Sequence, residues 1–440
     1  MRKTTRKSWA VAAGVAGIAL LATACSSGDG DSGTSPTSGS TGSTEKVTLK
    51  IQTFNEFGYK DLYTEYMKLH PNVTIVDDKA DKSDTARANV QTAIATGTVT
   101  EDIVAADVDW MPELVDHSDF FADLSSIGGD RWPSWKTGQA TDDAGKLIGA
   151  GTDSGPEAVC YRKDLFEKAG LPTDREAVAQ LLGTWDDYFA TGKKFIDSAA
   201  GKAGAAWFDS IGALSQGMIN QLKAPFEDPS TQKITVLDAD SPAKAVYDQL
   251  TSADVLAQSA HLGQWSDPWN KAFTNDVKGA WATQLCPPWM TQIISGAAPD
   301  QKNWDIAPVM PGGASNWGGS FLLVPKDGKH VQAATDLVNW LTDPAQQAKV
   351  FVQYGNFPSA VKATTDATVV AKTDTYFGNA PSGKIFSDRF AQVAFQPFRG
   401  PNYFPINDAL GKAYTRVDVD KTDDAASSWK KFETDVNNLS

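Results

Sequence analysis

The folded part of the chain opens with apolar and polar positions whose spacing changes several times, from that of a strand to that of a helix and back. Val47, Leu49 and Ile51 alternate with polar residues, which predicts a strand that ends near Phe54. The pattern then predicts, in chain order, a helix at 62–69, a strand at 73–76, a helix at 86–95 and a short apolar strand at 103–106. This order predicts a doubly wound α/β domain, in which ligands sit beyond the carboxyl ends of the strands.

The strand and helix pattern starts again at about residue 155. It predicts a strand at 158–161 and a helix at 163–170, which Gly170 and Pro172 end. Later elements are a strand at 321–324, helices at about 331–342 and 344–353, and a mostly helical final 60 residues. We therefore predict two α/β lobes, with the chain crossing between them more than once.

The first 25 residues have the character of an export signal. Four basic residues precede an apolar stretch at 9–21, which is too short to span a bilayer as a helix. Ala22, Thr23 and Ala24 then lead into Cys25, which fits either a plain signal-peptidase site or a bacterial lipobox. The lipobox interpretation departs from the usual pattern, because Ala22 stands where Leu is usual. We expect a signal peptide at 1–24 and a lipid on Cys25, with a secreted protein that carries no lipid as the alternative.

Residues 26–44 are Ser, Gly or Thr at 16 of 19 positions. Such a stretch cannot bury apolar surface, so we predict that 25–45 is a lipidated Cys followed by a flexible tether. A tether of this kind lets a folded domain move over a membrane without leaving it. The predicted location is therefore the extracytoplasmic face of the cell membrane, with lipid anchoring.

Net charge and motif content exclude several classes of function. The chain has 40 Lys and Arg against 54 Asp and Glu, a net charge of −14 at pH 7. Nucleic acids and anionic lipids both require a dense positive face, so we expect no nucleic-acid partner and no membrane contact other than the N-terminal lipid. The histidines are scattered, and the sequence lacks the G-x-S-x-G, G-x-x-x-x-G-K-[ST] and H-E-x-x-H motifs. We expect no metal and no cofactor.

Two further cysteines, Cys160 and Cys286, follow the predicted export signal. An even pair can oxidise in an exported protein, and a bridge between these two would enclose 125 residues. The alternative is two separate buried thiols, because Cys160 lies in an apolar run. We favour the disulfide.

Several segments resemble a known family. Residues 161–172, YRKDLFEKAGLP, resemble the YNKDLFEKAGL stretch of family 1 extracellular solute-binding proteins, the sugar-binding subunits of ABC importers; Arg162 stands where the family usually has Asn. The other matching segments are 281–290, 317–320, 333–344 and 355–359. These segments occur in the family's order and spacing, and together they extend the resemblance over about residues 46–435. The run at 286–290, CPPWM, is most similar to the actinobacterial branch that binds β-linked cello- and xylo-oligosaccharides.

The resemblance implies a periplasmic binding protein-like fold of type II, whose lobes are joined by a hinge of several strands. It places lobe 1 at 46–154 plus 320–360 and lobe 2 at 155–319 plus 361–440. Members of this family close on a ligand and present it to two permease subunits, which a cytoplasmic ATPase serves. The resemblance therefore implies a monomeric receptor for an oligosaccharide, with no enzyme activity.

The candidate binding residues follow from the shape of a sugar. A sugar ring offers an apolar face and a rim of hydroxyls, so its site needs flat aromatic side chains and short polar groups. Tryptophans, acids and amides at predicted strand ends or lobe crossings meet this need, and the roles of Asn356 and Tyr403 are implied by the family pattern. The candidates are Asn55, Glu56, Asp109, Trp110, Asp153, Trp207, Asp209, Trp269, Trp289, Trp317, Gly318, Asn356, Arg399 and Tyr403. Each has an ordinary alternative: a Trp packs in the core, an acid lies on a solvated face, and Arg399 pairs with a surface acid.

Two other classes of protein remain as alternatives. A secreted glycosidase would share the aromatic residues but needs two carboxylates about 5–10 Å apart, which a sequence cannot exclude. A receptor of the same fold for another sugar, an amino acid, a polyamine or a metal is the second alternative. The predicted tether and the importer-like pattern argue against the first, and the high tryptophan content argues against a receptor for a solute other than a sugar.

Overall fold

The computed structural model describes residues 45–439 of the chain. Residues from Glu45 onward form one compact unit. The predicted signal peptide, Cys25 and the tether up to residue 44 lie outside the described residues. Within 45–439, each helix is too short or too polar to cross a bilayer.

The strands of residues 45–439 form two sheets, one in each lobe. They are β1 (Val47–Phe54), β2 (Val73–Ala80), β3 (Ile103–Asp107), β4 (Ala150–Gly151), β5 (Ala158–Arg162), β6 (Thr283–Cys286), β7 (Trp304–Ala307) and β8 (Ser320–Leu323). The sheet of lobe 1 has the order β2-β1-β3-β8-β4, in which β1 is parallel to β2 and β3 while β8 is antiparallel to β3 and β4. The sheet of lobe 2 has the order β6-β5-β7.

The two sheets confirm the predicted α/β class, but neither is wholly parallel. In lobe 1 only β8 runs antiparallel to its neighbours β3 and β4, whereas in lobe 2 both β6 and β7 run antiparallel to β5. The reason is the path of the chain, because β5 runs from the connection into lobe 2 while β6 and β7 lead back towards that connection.

Helices cover the faces of both sheets. In the first half of the described chain they are α1 (Lys60–Leu69), α2 (Ser83–Thr96), α3 (Met111–Asp116), α4 (Ser134–Gly138), α5 (Lys163–Lys168), α6 (Arg175–Leu181), α7 (Trp185–Asp197), α8 (Ala199–Lys202), α9 (Ile211–Ile219) and α10 (Pro242–Leu250). In the second half they are α11 (Ala253–Leu256), α12 (Asp267–Ala272), α13 (Pro288–Ala297), α14 (Val331–Leu341), α15 (Pro344–Tyr354), α16 (Val361–Thr364), α17 (Ala367–Val370), α18 (Ser382–Gln392), α19 (Tyr403–Asp418) and α20 (Ala425–Asn437). Short 3₁₀ turns, such as Val108–Trp110 after β3, complete the connections.

The predicted alternation in β1 and the apolar run of β3 explain the core of lobe 1. Leu49 and Ile51 are fully buried, and so are Ile103, Ala105 and their neighbours in the central strand. Apolar side chains on both faces of β3 exclude water from the sheet, as expected for a strand covered by helices on both sides.

A disulfide joins Cys160 in β5 to Cys286 at the end of β6, with the two Cα atoms 5.4 Å apart. The sequence favoured a disulfide but left two separate thiols as the alternative, and the structure contains the disulfide. It encloses the long segment between these strands and limits the conformations of the unfolded chain. It also fixes the end of β6 only three residues before Trp289.

Three segments that run side by side between the sheets form the hinge: 152–157, 315–320 and 356–359. The Thr152 amide donates to the Ser320 carbonyl, and the Ser154 amide donates to the Phe357 carbonyl, both at 2.9 Å. The Trp317 amide donates to the Gly155 carbonyl at 2.8 Å. Each segment therefore satisfies backbone groups of another, and the lobes are joined by paired strands rather than by a loose linker.

We predict that Gly155→Ala disturbs the hinge. A Cβ atom at Gly155 would lie 1.9 Å from the Trp317 carbonyl oxygen and 3.1 Å from Nε1 of Trp289, so the backbone must move apart. We expect the free energy of unfolding to fall by about 1–3 kcal/mol, the usual range for overpacking. Gly296→Ala in α13 is the control, because its Cβ would meet nothing within 4 Å. Equal stability of the two variants in denaturant unfolding would show that the hinge tolerates a side chain.

Candidate functional site

Three tryptophans form an aromatic row on lobe 2, which we define as Trp317, Trp289 and Trp265. The rings of Trp317 and Trp289 meet edge to face with centroids 5.1 Å apart. The rings of Trp289 and Trp265 are 5.9 Å apart with an angle of 33° between their planes. Trp317 and Trp289 are half-buried, whereas Trp265 is 55% exposed, so the row runs outward from the hinge.

The backbone of the hinge holds the inner part of this row in place. Nε1 of Trp289 donates to the Trp317 carbonyl at 3.2 Å. Pro287 and Pro288 fix the backbone at the beginning of α13, directly before Trp289. Gly318 has a φ of 80° and lies beside Trp289, since a Cβ atom there would be 3.5 Å from Nε1. The structure therefore brings together three predicted residues, Trp289, Trp317 and Gly318.

Sequence reasoning left Trp265 out of the candidate site, although it belongs to the row. Trp265 and Trp269 flank Asp267 in the segment that leads into α12, and only Trp269 was selected. The sequence feature that could have identified Trp265 is its position directly before the N-cap of a helix. Ser266 caps α12, which puts Trp265 outside the helix and away from its buried face.

Four predicted aromatic residues are instead core residues in the structure. Trp110 and Tyr403 are 1% exposed, and Trp207 and Trp269 are fully buried. Phe166, Tyr188 and Phe195 lie around the Trp207 ring, Trp269 packs against Phe273 and Trp281, Tyr403 packs against Phe226, and Nε1 of Trp110 donates to Ser83. Their rings are covered by protein, so we leave them out of the proposed stacking surface.

Asp209, another predicted site residue, is also buried. It is 1% exposed, and its Oδ2 accepts hydrogen bonds from Gln264 at 3.0 Å and from Nε1 of Trp269 at 2.9 Å. Burial raises its pKa to about 6, and these hydrogen bonds oppose the increase. Asp209 therefore holds the segment that carries Trp265.

A charged cluster lies where the two lobes meet, and it includes the predicted residues Asp109 and Arg399. Nε of Arg399 donates to Oδ1 of Asp109 at 3.2 Å, and the guanidinium lies 4.9 Å from the ring of Tyr403 in the core of lobe 2. Asp109 follows β3 of lobe 1, so this ion pair connects the lobes. Nη1 of Arg399 is buried without a hydrogen-bond partner.

Two further buried charges belong to this cluster, and sequence reasoning did not select them. Burial and the neighbouring carboxylate of Asp109 raise the pKa of Asp107 to about 7. Lys136 is 1% exposed, its Nζ lies 3.9 Å from the centre of the Phe321 ring, and burial lowers its pKa to about 8. The carboxylates of Asp153 and Asp107 oppose that decrease. No pattern in the sequence marks Lys136, because a single lysine in a short helix usually lies on the surface.

The remaining polar candidates gather at the hinge. Nδ2 of Asn356 donates to the Glu56 carbonyl at 2.7 Å, and Oδ1 of Asp153 accepts from the Ser320 amide at 2.9 Å. Asn55 and Glu56 are exposed, and the Glu56 carboxylate pairs with Lys79 at 3.1 Å. A small cavity at this place is lined by Asp153, Asn356, Phe57, Tyr59, Thr152, Gln347 and Val350. Within residues 45–439, no group of three His, Cys, Asp or Glu side chains is placed to hold a metal ion.

Two α/β lobes joined by paired hinge strands define the class of two-lobed periplasmic binding proteins, in which closure around a ligand is a hinge motion. Residues 61–377 match the family of bacterial extracellular solute-binding proteins, and the chain belongs to this family. The match confirms the family that the sequence resembles.

Individual relatives agree with this assignment. An extracellular solute-binding protein family 1 of known crystal structure is 41% identical, with a TM-score of 0.81, over 89% of this chain and 99% of that one. The ABC transporter associated binding protein of B. animalis subsp. lactis, solved with β-1,6-galactobiose, is 20% identical, with a TM-score of 0.69, over 90% and 98% of the two chains. The arabinooligosaccharide-binding protein of Bacillus subtilis is 26% identical over 200 residues, 44% of each chain, so the match spans less than half the length of this curated relative.

We predict that Asp107→Asn makes stability less dependent on pH. The pKa of Asp107 is about 7 in the folded protein and about 3.9 in an unfolded chain. Its stabilising contribution is therefore complete below pH 4 and is lost as the pH rises through 7. At pH 8 the free energy of unfolding of Asp107→Asn should exceed that of the unmodified protein by about 1–3 kcal/mol, and at pH 4 the two values should be similar. Urea unfolding at both pH values tests this, with the exposed Asp78→Asn as control. An unchanged pH profile in the Asp107 variant would show that folding does not raise the pKa of this carboxyl.

Proposed function

We propose that the protein is the extracytoplasmic receptor of an ABC importer and that it captures an oligosaccharide between its lobes. The observation that carries this proposal is the aromatic row, which presents tryptophan surface next to a hinge. Indole rings stack on the apolar face of a sugar, and the half-buried position of Trp289 and Trp317 lowers the entropy lost on binding. The polar rim of the sugar then needs short hydrogen-bonding side chains.

The hinge and the charged cluster supply such polar groups. The Asp109 side chain is 27% exposed while its Oδ1 accepts from Arg399, and Nη1 of Arg399 is a buried donor without a partner. Asp153 and Asn356 line the hinge cavity, and the Asp153 carboxylate also acts on Lys136 of the charged cluster. A site that pairs each hydroxyl with such a group rejects analogues that lack one, because the protein group would remain unpaired.

The proposed ligand is a β-linked oligosaccharide of the cello- or xylo- type. Such chains are extended ribbons whose ring faces point outward, and a row of aromatic rings is complementary to them. The named relatives support a sugar as the ligand class, since one is an arabinooligosaccharide-binding protein and another was solved with a galactobiose. The proposal includes no catalytic step.

The rest of the proposed system rests on the sequence resemblance and on the predicted export signal. We propose that the lipid on Cys25 anchors the receptor to the outer face of the membrane. We also propose that it acts as a monomer and hands the sugar to two permease subunits with a cytoplasmic ATPase. The lobes proposed to close are 46–154 plus 320–360 and 155–319 plus 361–440.

A thermal-shift screen of the chain from Glu45 tests the proposed function. A ligand that binds only the folded protein stabilises it by about 2.7 kcal/mol at a concentration 100 times its Kd. We expect an increase in Tm with cello- or xylo-oligosaccharides and none with amino acids or metal ions. A shift with amino acids alone would contradict the sugar proposal, and release of reducing sugar during incubation would contradict the receptor proposal.

We predict that Trp289→Ala weakens sugar binding and leaves the fold intact. Removal of a central stacking ring should raise the Kd of the sugar found in the screen roughly 10- to 100-fold, as for other aromatic anchors. Isothermal titration calorimetry measures the change. The matched control is Trp340→Ala, a half-buried tryptophan of α14 that packs edge to face on Tyr66 in lobe 1. If Trp289→Ala binds as tightly as the control, Trp289 is a packing residue.

A further inference from the structure

The outer end of the aromatic row stays exposed although it also packs on the core, since the rings of Trp265 and Trp269 have centroids 5.3 Å apart. Trp265 is 55% exposed, and every other large hydrophobic residue exposed in residues 45–439 is aliphatic. Its backbone has a φ of 69°, a left-handed conformation that is rare for a bulky side chain. Strain of this kind persists where the surroundings impose it, and it concentrates at ligand-binding sites.

The surrounding side chains impose this conformation on Trp265. On one side, buried Asp209 accepts hydrogen bonds from Gln264 at 3.0 Å and from Trp269 at 2.9 Å, so the residue before Trp265 and the helix after it share one anchor. Ser266 caps α12, and its hydroxyl donates to the Gly263 carbonyl at 2.7 Å. The short segment around Trp265 therefore has both of its ends fixed.

A second buried carboxylate fixes the beginning of the same segment. Nδ1 of His261 lies 2.6 Å from Oδ1 of Asp418, which is fully buried in α19. Oδ2 of Asp418 accepts from the Ser259 hydroxyl at 3.0 Å and from the Ile211 amide at 2.9 Å. His261 also has a left-handed backbone, with a φ of 58°. Two buried acids thus hold an exposed tryptophan in a strained position.

The orientation of the Trp265 ring relative to Trp289 indicates a role for this strained segment. The planes of Trp265 and Trp289 differ by only 33°, and their centroids are 5.9 Å apart. Two rings that face nearly the same way can each meet a successive unit of one extended chain. Trp269 is fully buried, whereas Trp265 leaves more than half of its surface exposed beside Trp289.

We infer that Trp265 forms an outer subsite, which binds a sugar unit beyond the one stacked on Trp289 and makes the receptor prefer longer oligosaccharides. This inference rests on the proposed function and refines it. Asp209 and Asp418 are positioning residues for this subsite, because they hold the segment that carries the ring. The units stacked on Trp289 and on Trp265 are successive units of one chain, so this subsite is filled only by an oligosaccharide that extends outward past Trp289.

The test is a series of Kd values for cellobiose, cellotriose, cellotetraose and cellopentaose and for the matching xylo-oligosaccharides. Two variants are compared with the unmodified chain from Glu45: Trp265→Gly, which suits the left-handed backbone, and Trp265→Phe, which keeps an aromatic face. We expect the unmodified protein to gain about tenfold in affinity at the chain length that reaches Trp265. Trp265→Gly should lose that gain at the longer chain lengths, and Trp265→Phe should keep most of it.

Several results overturn the inference, and they differ from a failure of the proposed function. Equal affinity series for Trp265→Gly and the unmodified protein would show that no sugar unit contacts the ring. An equal loss at every chain length would place Trp265 in the central site instead. Unchanged affinities together with impaired sugar uptake by cells would assign Trp265 to permease contact. If the unmodified protein binds no sugar in this series or in the thermal-shift screen, the proposed function fails and the subsite with it.

Discussion

The close approach of two backbone segments at the hinge is the constraint on which the rest of the structure depends. The carbonyl oxygen of Trp317 occupies the space where a side chain at residue 155 would begin, so only glycine fits there. The same carbonyl accepts a hydrogen bond from the indole of Trp289. The connection between the lobes and the inner end of the aromatic row are therefore one packed unit, and movement at the hinge repositions the proposed binding surface.

Buried charge at the lobe junction adds a second constraint. Lys136 and Arg399 lie near the carboxylates of Asp107, Asp109 and Asp153, and burial raises the pKa of Asp107 while it lowers that of Lys136. Charges removed from water in this way are stable only while their partners stay close. Arg399 pairs with Asp109, so in the proposed closure about the hinge, opening would either stretch this pair or carry it into water. The proposed motion and the buried charges are therefore linked.

The sequence carried more information about the fold than about the site. Period-2 alternation and a short apolar run identified β1 and β3, because burial of one or both faces of a strand leaves a periodic trace. No such trace distinguishes a tryptophan that faces the cleft from one that faces the core at the same strand end, and Trp110 and Trp207 proved to be buried. Trp265 was missed because its exposure depends on a left-handed backbone held by distant acids. Such contacts exist only in three dimensions.

The central claim is that the two lobes close on a sugar about the hinge, and small-angle X-ray scattering tests it most directly. A compact chain of this size has a radius of gyration of about 21 Å. The account predicts that saturating amounts of the sugar identified by thermal shift reduce this radius, while a sugar that gives no thermal shift leaves it unchanged. A radius of gyration that stays constant while calorimetry shows the protein saturated would contradict closure as the mode of binding.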